Sequence, residues 1–315
     1  MKSSGSGAGA QAAVSRSRSG GSSGGGAGAL AALRASSSGS SASGGGGGDA
    51  TPTASLADEE RGSLEPYLPA VVQVFTSSVA NDWSMPWSRD LPQKSTGSGW
   101  ILDVARRLIV TNAHVVEFAS TLQVRREGEA EKFEAHVVVV AHQVDLALLT
   151  VKKAAFWQDA AQLDLGPSPR IQQEVHVLGY PEGGDGISIT GGVVSRVDFG
   201  SYSQSKKSNL SVQVDAAINS GNSGGPALSK GRCVGVAFQS LEEGDNIGYI
   251  VPSAIVRRLV EDYDAAPAGA PVQLRGFAEF ALHIQAAENA ALRMSVGLPE
   301  GVSGVIVRSV PKMSK

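Results

Sequence analysis

The chain has 315 residues, of which 42% are hydrophobic and 18% charged, with a formal net charge of −3. That length accommodates one two-lobed domain of about 200 residues plus flanking segments, and the near-neutral balance gives no support for a nucleic-acid partner or a polybasic membrane patch. A single cysteine, Cys233, rules out an intrachain disulfide and a Cys-type metal cluster, and the longest apolar run, 137–141, is far short of the roughly 20 residues of a membrane helix. A soluble protein with no membrane span, no metal and no cofactor is expected.

Residues 1–62 differ in kind from the rest. Gly, Ser and Ala dominate, and no aromatic residue precedes Tyr67. Such a composition cannot bury enough apolar surface to offset chain entropy. Lys2, Arg16, Arg18 and Arg34 are the only charged side chains before Asp49. A Ser-rich, Arg-bearing, acid-free segment has the profile of an organellar transit peptide, for chloroplast or mitochondrion. The alternative is a flexible tail without an address.

From residue 63 to 264 the pattern turns to β-structure. Short β-branched runs at 71–75, 99–102, 108–111, 121–126, 132–140 and 146–151 are punctuated by polar turns. The loop between the first two carries Trp83, Pro86, Trp87 and Pro92, and loops of that length tend to be functional. After a connecting segment, 152–169, the pattern recurs at 174–178, 187–197, 210–214, 231–238 and 248–250. Residues 252–260 read as a helix, with Ser253 as N-cap and a buried face of Ile255, Val256, Leu259 and Val260. Residues 265–271, rich in Ala, Gly and Pro, form a linker, and 272–315 follow it. Cys233, in the strand at 231–238, is expected to be a buried small hydrophobe.

The chemistry centres on Gly221-Asn222-Ser223-Gly224-Gly225-Pro226. A serine among glycines between two apolar runs marks a tight loop. If Ser223 attacks a carbonyl, the N–H groups of Gly221 and Ser223 can converge on the developing oxyanion, as preorganised donors do. An ordinary Gly-Ser hairpin would look similar, so the serine needs a base. His114 follows the apolar strand 108–111, and Asp145 precedes another at 146–151. The chain order His, Asp, Ser is that of chymotrypsin-type proteases. The loop also satisfies Gly-x-Ser-x-Gly, the nucleophile elbow of α/β-hydrolases, but β-structure follows it and only His283 comes later. His136, His142 and His176 lack a comparable setting, and no His-x-x-x-His spacing suggests a metal.

Thr111-Asn112-Ala113-His114-Val115-Val116, Asp145-Leu146-Ala147-Leu148-Leu149 and the serine loop resemble the three signatures of the HtrA/DegP (Deg) serine proteases. Gly97-Ser98-Gly99-Trp100 and Gly179-Tyr180-Pro181 fit as well. Gly191-Gly192-Val193-Val194-Ser195-Arg196 and Asn246-Ile247-Gly248-Tyr249-Ile250-Val251-Pro252 point to the plant organellar branch. The resemblance covers about residues 66–263. It implies an all-β, chymotrypsin-like double β-barrel, with His114 and Asp145 on the first barrel, Ser223 on the second, and the site between them. It further implies that Ser223 is the nucleophile, His114 its base, Asp145 the group orienting that base, and Gly221 and Ser223 the oxyanion donors.

Several finer expectations rest on the same resemblance. Ile218 and the adjacent Asn219 would line the pocket for the residue before the scissile bond, favouring small aliphatic side chains. Loops at 182–185 and 239–245 would switch between active and inactive arrangements. Residues 276–282 and 304–307 resemble parts of a PDZ domain, of which 272–315 would be about half, with Ala281 where a glycine is usual. The implied function is ATP-independent endoproteolysis of unfolded or damaged proteins by a homo-oligomer built on trimers, with contacts near residues 65–69. The alternative is a proteolytically idle peptide-binding or chaperone protein of the same fold.

Overall fold

A computed structural model describes residues 64–240, 247–267, 270–277, 282–299, 301–302 and 304–310. All belong to one unit, Ala54–Lys315. The 1–62 tail, most of the 239–245 loop and Ala281 lie outside the described residues.

Six strands form the first barrel: β1 (Val71–Ser78), β2 (Gln93–Asp103), β3 (Leu108–Thr111), β4 (Ala119–Arg126), β5 (Phe133–Ala141) and β6 (Leu146–Val151). They close in the order β1-β2-β3-β6-β5-β4, antiparallel throughout. The second barrel comprises β7 (Glu174–Gly179), β8 (Ser188–Ser201), β9 (Ser208–Val214), β10 (Pro226–Ser229), β11 (Arg232–Ser240) and β12 (Gly248–Pro252). It closes as β10-β11-β12-β9-β8-β7. The fold is the expected all-β double barrel. Within each barrel, closure leaves no free edge strand to template aggregation.

Three apolar clusters account for the architecture. Val72, Val74, Ile109, Val124, Phe133 and Leu149 fill the first barrel. Val175, Val177, Val194, Val212, Val214 and Ile250 fill the second. The third cluster draws from both barrels and includes Trp100, Leu108, Val110, Leu146, Leu148, Leu178, Tyr202, Val236 and Phe238. Residues of β3 therefore alternate between destinations that are both apolar: Leu108 and Val110 face the seam, Ile109 the barrel interior. The same holds for β6, with Leu146 and Leu148 outward and Ala147 and Leu149 inward. Burial on both faces explains why these strands read as unbroken apolar runs rather than alternating ones. Each such Leu or Val contributes about 1.5–3 kcal/mol on burial, so the seam is held as firmly as the barrels.

Helix α1 (Ala113–Val116) follows β3, and α2 (Ser253–Asp264) follows β12. Helix α2 packs Ile255, Val256, Leu259 and Val260 into the seam cluster, the face its spacing predicts. Its N-cap is Pro252, in extended conformation (φ −68°, ψ 151°), and not Ser253, which is the first helical residue and makes no capping bond. Beyond the linker, β13 (His283–Ala286) and β14 (Val305–Ser309) pair antiparallel, with α3 (Ala290–Ser295) between them. This small sheet is consistent with a partial PDZ-like segment. Ile284, Val305 and Val307 on it are exposed.

Candidate active site between the barrels

The register of β3 and β6 brings the first two candidate residues together. Thr111 pairs with Ala147 at the end of the ladder. The chain leaving β3 therefore meets the chain entering β6, so residues 112–114 lie against residue 145. Asn112 adopts an extended conformation (φ −83°, ψ 154°) and starts α1, which carries His114. Asp145 closes a 3-10 turn, His142–Val144, in the left-handed region (φ 52°, ψ 45°), its N–H donating to the His142 carbonyl at 3.3 Å. Aspartate tolerates that region better than most side chains, because its short polar group can bond locally.

Asp145 is only 1% exposed. A carboxylate buried so deeply must be hydrogen-bonded to persist. Its Oδ1 accepts from the His114 main-chain N–H at 2.9 Å, and its Oδ2 lies 2.7 Å from His114 Nδ1. The Asp145 carbonyl accepts from Asn112 Nδ2 at 2.8 Å. Two contacts to one histidine fix both the position and the rotation of the ring, leaving Nε2 as its remaining nitrogen. Tyr202, fully buried on the second barrel, hydrogen-bonds through its hydroxyl to the Leu210 carbonyl at 2.6 Å. Burial first, and then the charge of Asp145, push its phenol above the ordinary range.

Ser223 is the second residue of the latter of two successive turns. The Asn222 N–H donates to the Asn219 carbonyl at 3.0 Å, and the Gly225 N–H to the Asn222 carbonyl at 2.9 Å. Gly221 and Gly224 occupy the third position of these turns with φ of +94° and +87°, as type II turns demand. Space is as restrictive as conformation. A Cβ on Gly221 would lie 2.3 Å from the Tyr180 carbonyl oxygen, and one on Gly224 would lie 2.1 Å from that of Ser98. The Ser223 loop therefore presses on both barrels. Among the described residues, neither the Gly221 nor the Ser223 N–H has a protein acceptor.

Ser98, fully buried on β2 of the first barrel, ties this loop across the cleft. Its N–H donates to the Ser223 carbonyl at 2.8 Å, and its hydroxyl donates to the Gly221 carbonyl at 2.6 Å. The same hydroxyl accepts from the Tyr180 N–H at 2.8 Å, and the Ser98 carbonyl accepts from Thr111 Oγ1 at 2.7 Å. One residue, through side chain and main chain together, thus connects β2, the end of β3, the strand exit at Tyr180 and the serine loop. Sequence reasoning placed Ser98 in a motif but gave it no role. The available signal was a small polar residue between Gly97 and Gly99 inside a strand, a pattern that marks close backbone approach.

Ser223 itself is half-buried, and its hydroxyl makes no hydrogen bond to the imidazole among the described residues. Such bonds are often loose without substrate and tighten when it binds. Ile218 is 6% exposed and belongs to the second barrel's apolar cluster, its side chain lying where a Cβ on Gly248 would come within 2.7 Å. Asn219 is exposed at the head of the first turn. Of the other histidines, His142 is exposed and contributes only its carbonyl to Asp145, and His176 lies 3.8 Å from Glu174. Cys233 is fully buried, and burial pushes its thiol up to about 12. That value leaves it without thiolate character at neutral pH.

Comparison with known proteins agrees with this arrangement. A family profile described as "Trypsin-like peptidase domain" matches residues 97–236. "Protease Do-like 2, chloroplastic" from Arabidopsis thaliana is 41% identical over 251 residues, covering 79% of this chain and 40% of that protein. "Putative protease Do-like 3, mitochondrial" from the same plant is 38% identical over 247 residues, covering 78% and 43% respectively. The chain thus spans about two fifths of the length of these curated relatives. Among solved structures, "HtrA-type protease AlgW with decapeptide" superposes with a TM-score of 0.58 at 23% identity, over 79% of this chain and 78% of that one, a likeness of fold. With the sequence signatures, the double barrel and these relatives in agreement, the chain belongs to the HtrA/DegP family of trypsin-like serine proteases.

Proposed function

We propose that this chain is a serine endopeptidase that hydrolyses peptide bonds of unfolded or damaged polypeptides without ATP. The observation that carries the reading is the buried Asp145 carboxylate fixing the His114 ring through Nδ1, with the Ser223 loop bound to the neighbouring strand by Ser98. Ser223 Oγ attacks the scissile carbonyl while His114 Nε2 takes its proton. Asp145 holds the ring in the tautomer that leaves Nε2 free and stabilises the imidazolium that forms. The N–H groups of Gly221 and Ser223 receive the oxyanion. His114 then returns the proton to the leaving amine, and water repeats the sequence on the acyl-enzyme.

Casein in an unfolded state, incubated with the protein and with Ser223→Ala, tests this reading. Cleavage by the first and not the second is expected. Binding of casein by both without cleavage by either would instead establish the idle peptide-binding alternative.

The specificity pocket belongs to the same proposal. Ile218 and Asn219 precede the oxyanion donors in one loop, and Ile218 packs over Gly248 on β12. A branched apolar wall offers no charge to Lys or Arg, so cuts after Val, Ala or Ile are favoured. Ile218→Ala uncovers the space above Gly248, and relative cleavage after Leu, Met or Phe should rise by the graded 1–3 kcal/mol typical of a methylene-scale change in a pocket. Sequencing the cut sites in one unfolded substrate checks this. An unchanged pattern with a lowered melting temperature would make Ile218 a core residue only.

The relatives named above are described as chloroplastic and mitochondrial, and the 1–62 segment has the composition of an organellar address. An organellar location follows as part of the proposal, as do trimer-based assembly and the division into a protease domain at 63–264 and a PDZ-like segment at 272–315. No helix among the described residues is long and apolar enough to cross a membrane.

A further inference from the structure

The turn that presents Asp145 is tied to the segment that leaves the protease domain. Gln143 lies in that turn, two residues before the carboxylate. Its side-chain amide forms a matched pair with the main chain of Phe277. Gln143 Nε2 donates to the Phe277 carbonyl at 2.9 Å, and Gln143 Oε1 accepts from the Phe277 N–H at 3.2 Å. The carboxamide presents one donor and one acceptor to one residue's two main-chain groups, as a neighbouring strand would. The main-chain carbonyl of Gln143 faces another way. It accepts from Ser205 Oγ at 3.0 Å and from Asn209 Nδ2 at 2.9 Å, both on the second barrel.

The segment holding Phe277 is anchored in turn. Asp262 on α2 is 4% exposed, and its carboxylate accepts from the Arg275 main-chain N–H at 3.0 Å while ion-pairing with the Arg275 guanidinium. Gly276, between the two anchors, has φ +74°. From α2 the chain is thus fixed at 275, bends at 276 and is clamped at 277 against the turn of Asp145.

We propose that Gln143 is a positioning residue for the triad's acid, and that through it the placement of segment 270–277 is felt at Asp145. This rests on the endopeptidase reading above. The turn is short, and Asp145 at its end is held by its N–H on the His142 carbonyl and by Asn112 Nδ2 on its own carbonyl. The grip on Gln143, in the middle of the turn, adds to these in setting the turn's orientation. Release of the Phe277 clamp leaves Gln143 held from the second barrel alone. The carboxylate can then rotate away from His114 Nδ1 while the barrels stay folded. A displacement of about 1 Å in a catalytic group can cost as much as 10² in rate. Substrate contacts lie elsewhere, on the serine loop, so the effect belongs in kcat and not in KM.

The test uses the full chain and four proteins: parent, Gln143→Ala, Gly276→Val and the double variant. A β-branched residue at Gly276 is strained at that φ, and its Cβ would meet Gln143 Oε1 at 3.6 Å, so the change disturbs the clamp itself from the Phe277 side. Each is measured for kcat and KM on an unstructured peptide and for the rate of Ser223 labelling by a fluorophosphonate. Labelling reports activation of the nucleophile and is insensitive to a loss of stability in protein that remains folded. The expected result is a fall of about 10- to 100-fold in kcat and a parallel fall in labelling rate for Gln143→Ala. KM should stay within about twofold. Gly276→Val should fall similarly, and the double variant should fall no further, because both break one link. Parent-like kcat and labelling in Gln143→Ala, or multiplied effects in the double variant, would overturn the proposal. Should Gln143→Ala fail to fold, Gln143→Glu decides: it keeps the acceptor for the Phe277 N–H, loses the donor and sets a charged oxygen against the Phe277 carbonyl, and parent-like labelling in it and in Gly276→Val overturns the proposal as well. A parent that cleaves nothing would instead refute the endopeptidase reading.

Discussion

Asp145→Asn is expected to fold as the parent does and to lose about 10⁴ in kcat, the scale seen for this change in other Ser-His-Asp sites. Hydrogen-bond polarity decides the outcome. In the parent, Oδ1 accepts from the His114 main-chain N–H and Oδ2 faces His114 Nδ1 at 2.7 Å. An asparagine can keep the first contact with its carbonyl oxygen. Its amide nitrogen then faces Nδ1 and can only donate. Nδ1 must become the acceptor, the ring proton moves to Nε2, and the nitrogen facing the nucleophile can no longer take a proton. Shape and volume are unchanged, so thermal unfolding should barely move. Kinetics on a peptide from unfolded casein, beside a melting curve, separate the two effects. Activity within tenfold of the parent would remove Asp145 from the mechanism.

The meeting of His114 and Asp145 was legible because it is local in sequence at each end. The apolar runs at β3 and β6 and the polar residues at their tips are visible without a structure, and the register Thr111 with Ala147 then leaves His114 and Asp145 little choice but to meet. Strand β10, Pro226–Ser229, was not legible. It is four residues long, follows a glycine pair and begins with proline, all features of a loop in sequence, though proline is tolerated as the first residue of a strand. The N-cap of α2 was misplaced by one residue for a related reason. Pro252 ends β12 with a fixed φ of −68°, a value that suits the residue before a helix, so the serine falls inside.

The roles of Ser98 and Gln143 were hidden for a different reason. Both act through pairings between distant parts of the chain: Ser98 with Gly221, 123 positions away, and Gln143 with Phe277, 134 positions away. A hydroxyl or carboxamide in isolation gives no sign of a partner so remote. Ile218 stands between these cases, since an apolar residue ahead of a glycine turn suits a pocket wall and a barrel core equally. It lies in the second barrel's apolar cluster beside Gly248, and the cleavage pattern of Ile218→Ala tests the pocket reading.

Gly224→Ala is expected to damage catalysis severely although it adds only one methyl group. The residue follows Ser223, and its backbone is a point where the second barrel's loop touches the first barrel. A single methyl group there would lie 2.1 Å from the Ser98 carbonyl oxygen, 2.5 Å from Thr111 Oγ1 and 3.1 Å from the Asn112 main-chain nitrogen. Two of these are main-chain atoms on β2 and at the entry to α1, so no side-chain rotation relieves the contact. The φ of +87° adds about 1–2 kcal/mol for an L-residue, and overpacking adds about 1–3 kcal/mol. Relief requires the loop to withdraw from Ser98, and that motion separates Ser223 from the His114 side of the cleft. A loss of about 10² or more in kcat follows from a displacement near 1 Å. Gly128→Ala is the matched control: its φ is +75°, yet an added Cβ meets nothing within 4 Å. That variant should lose only the conformational part of the stability and keep its kcat. Measurement of kcat and of urea midpoints for both variants decides the matter. Equal kcat in the two proteins would show that the loop can move as a whole without separating the nucleophile from its base.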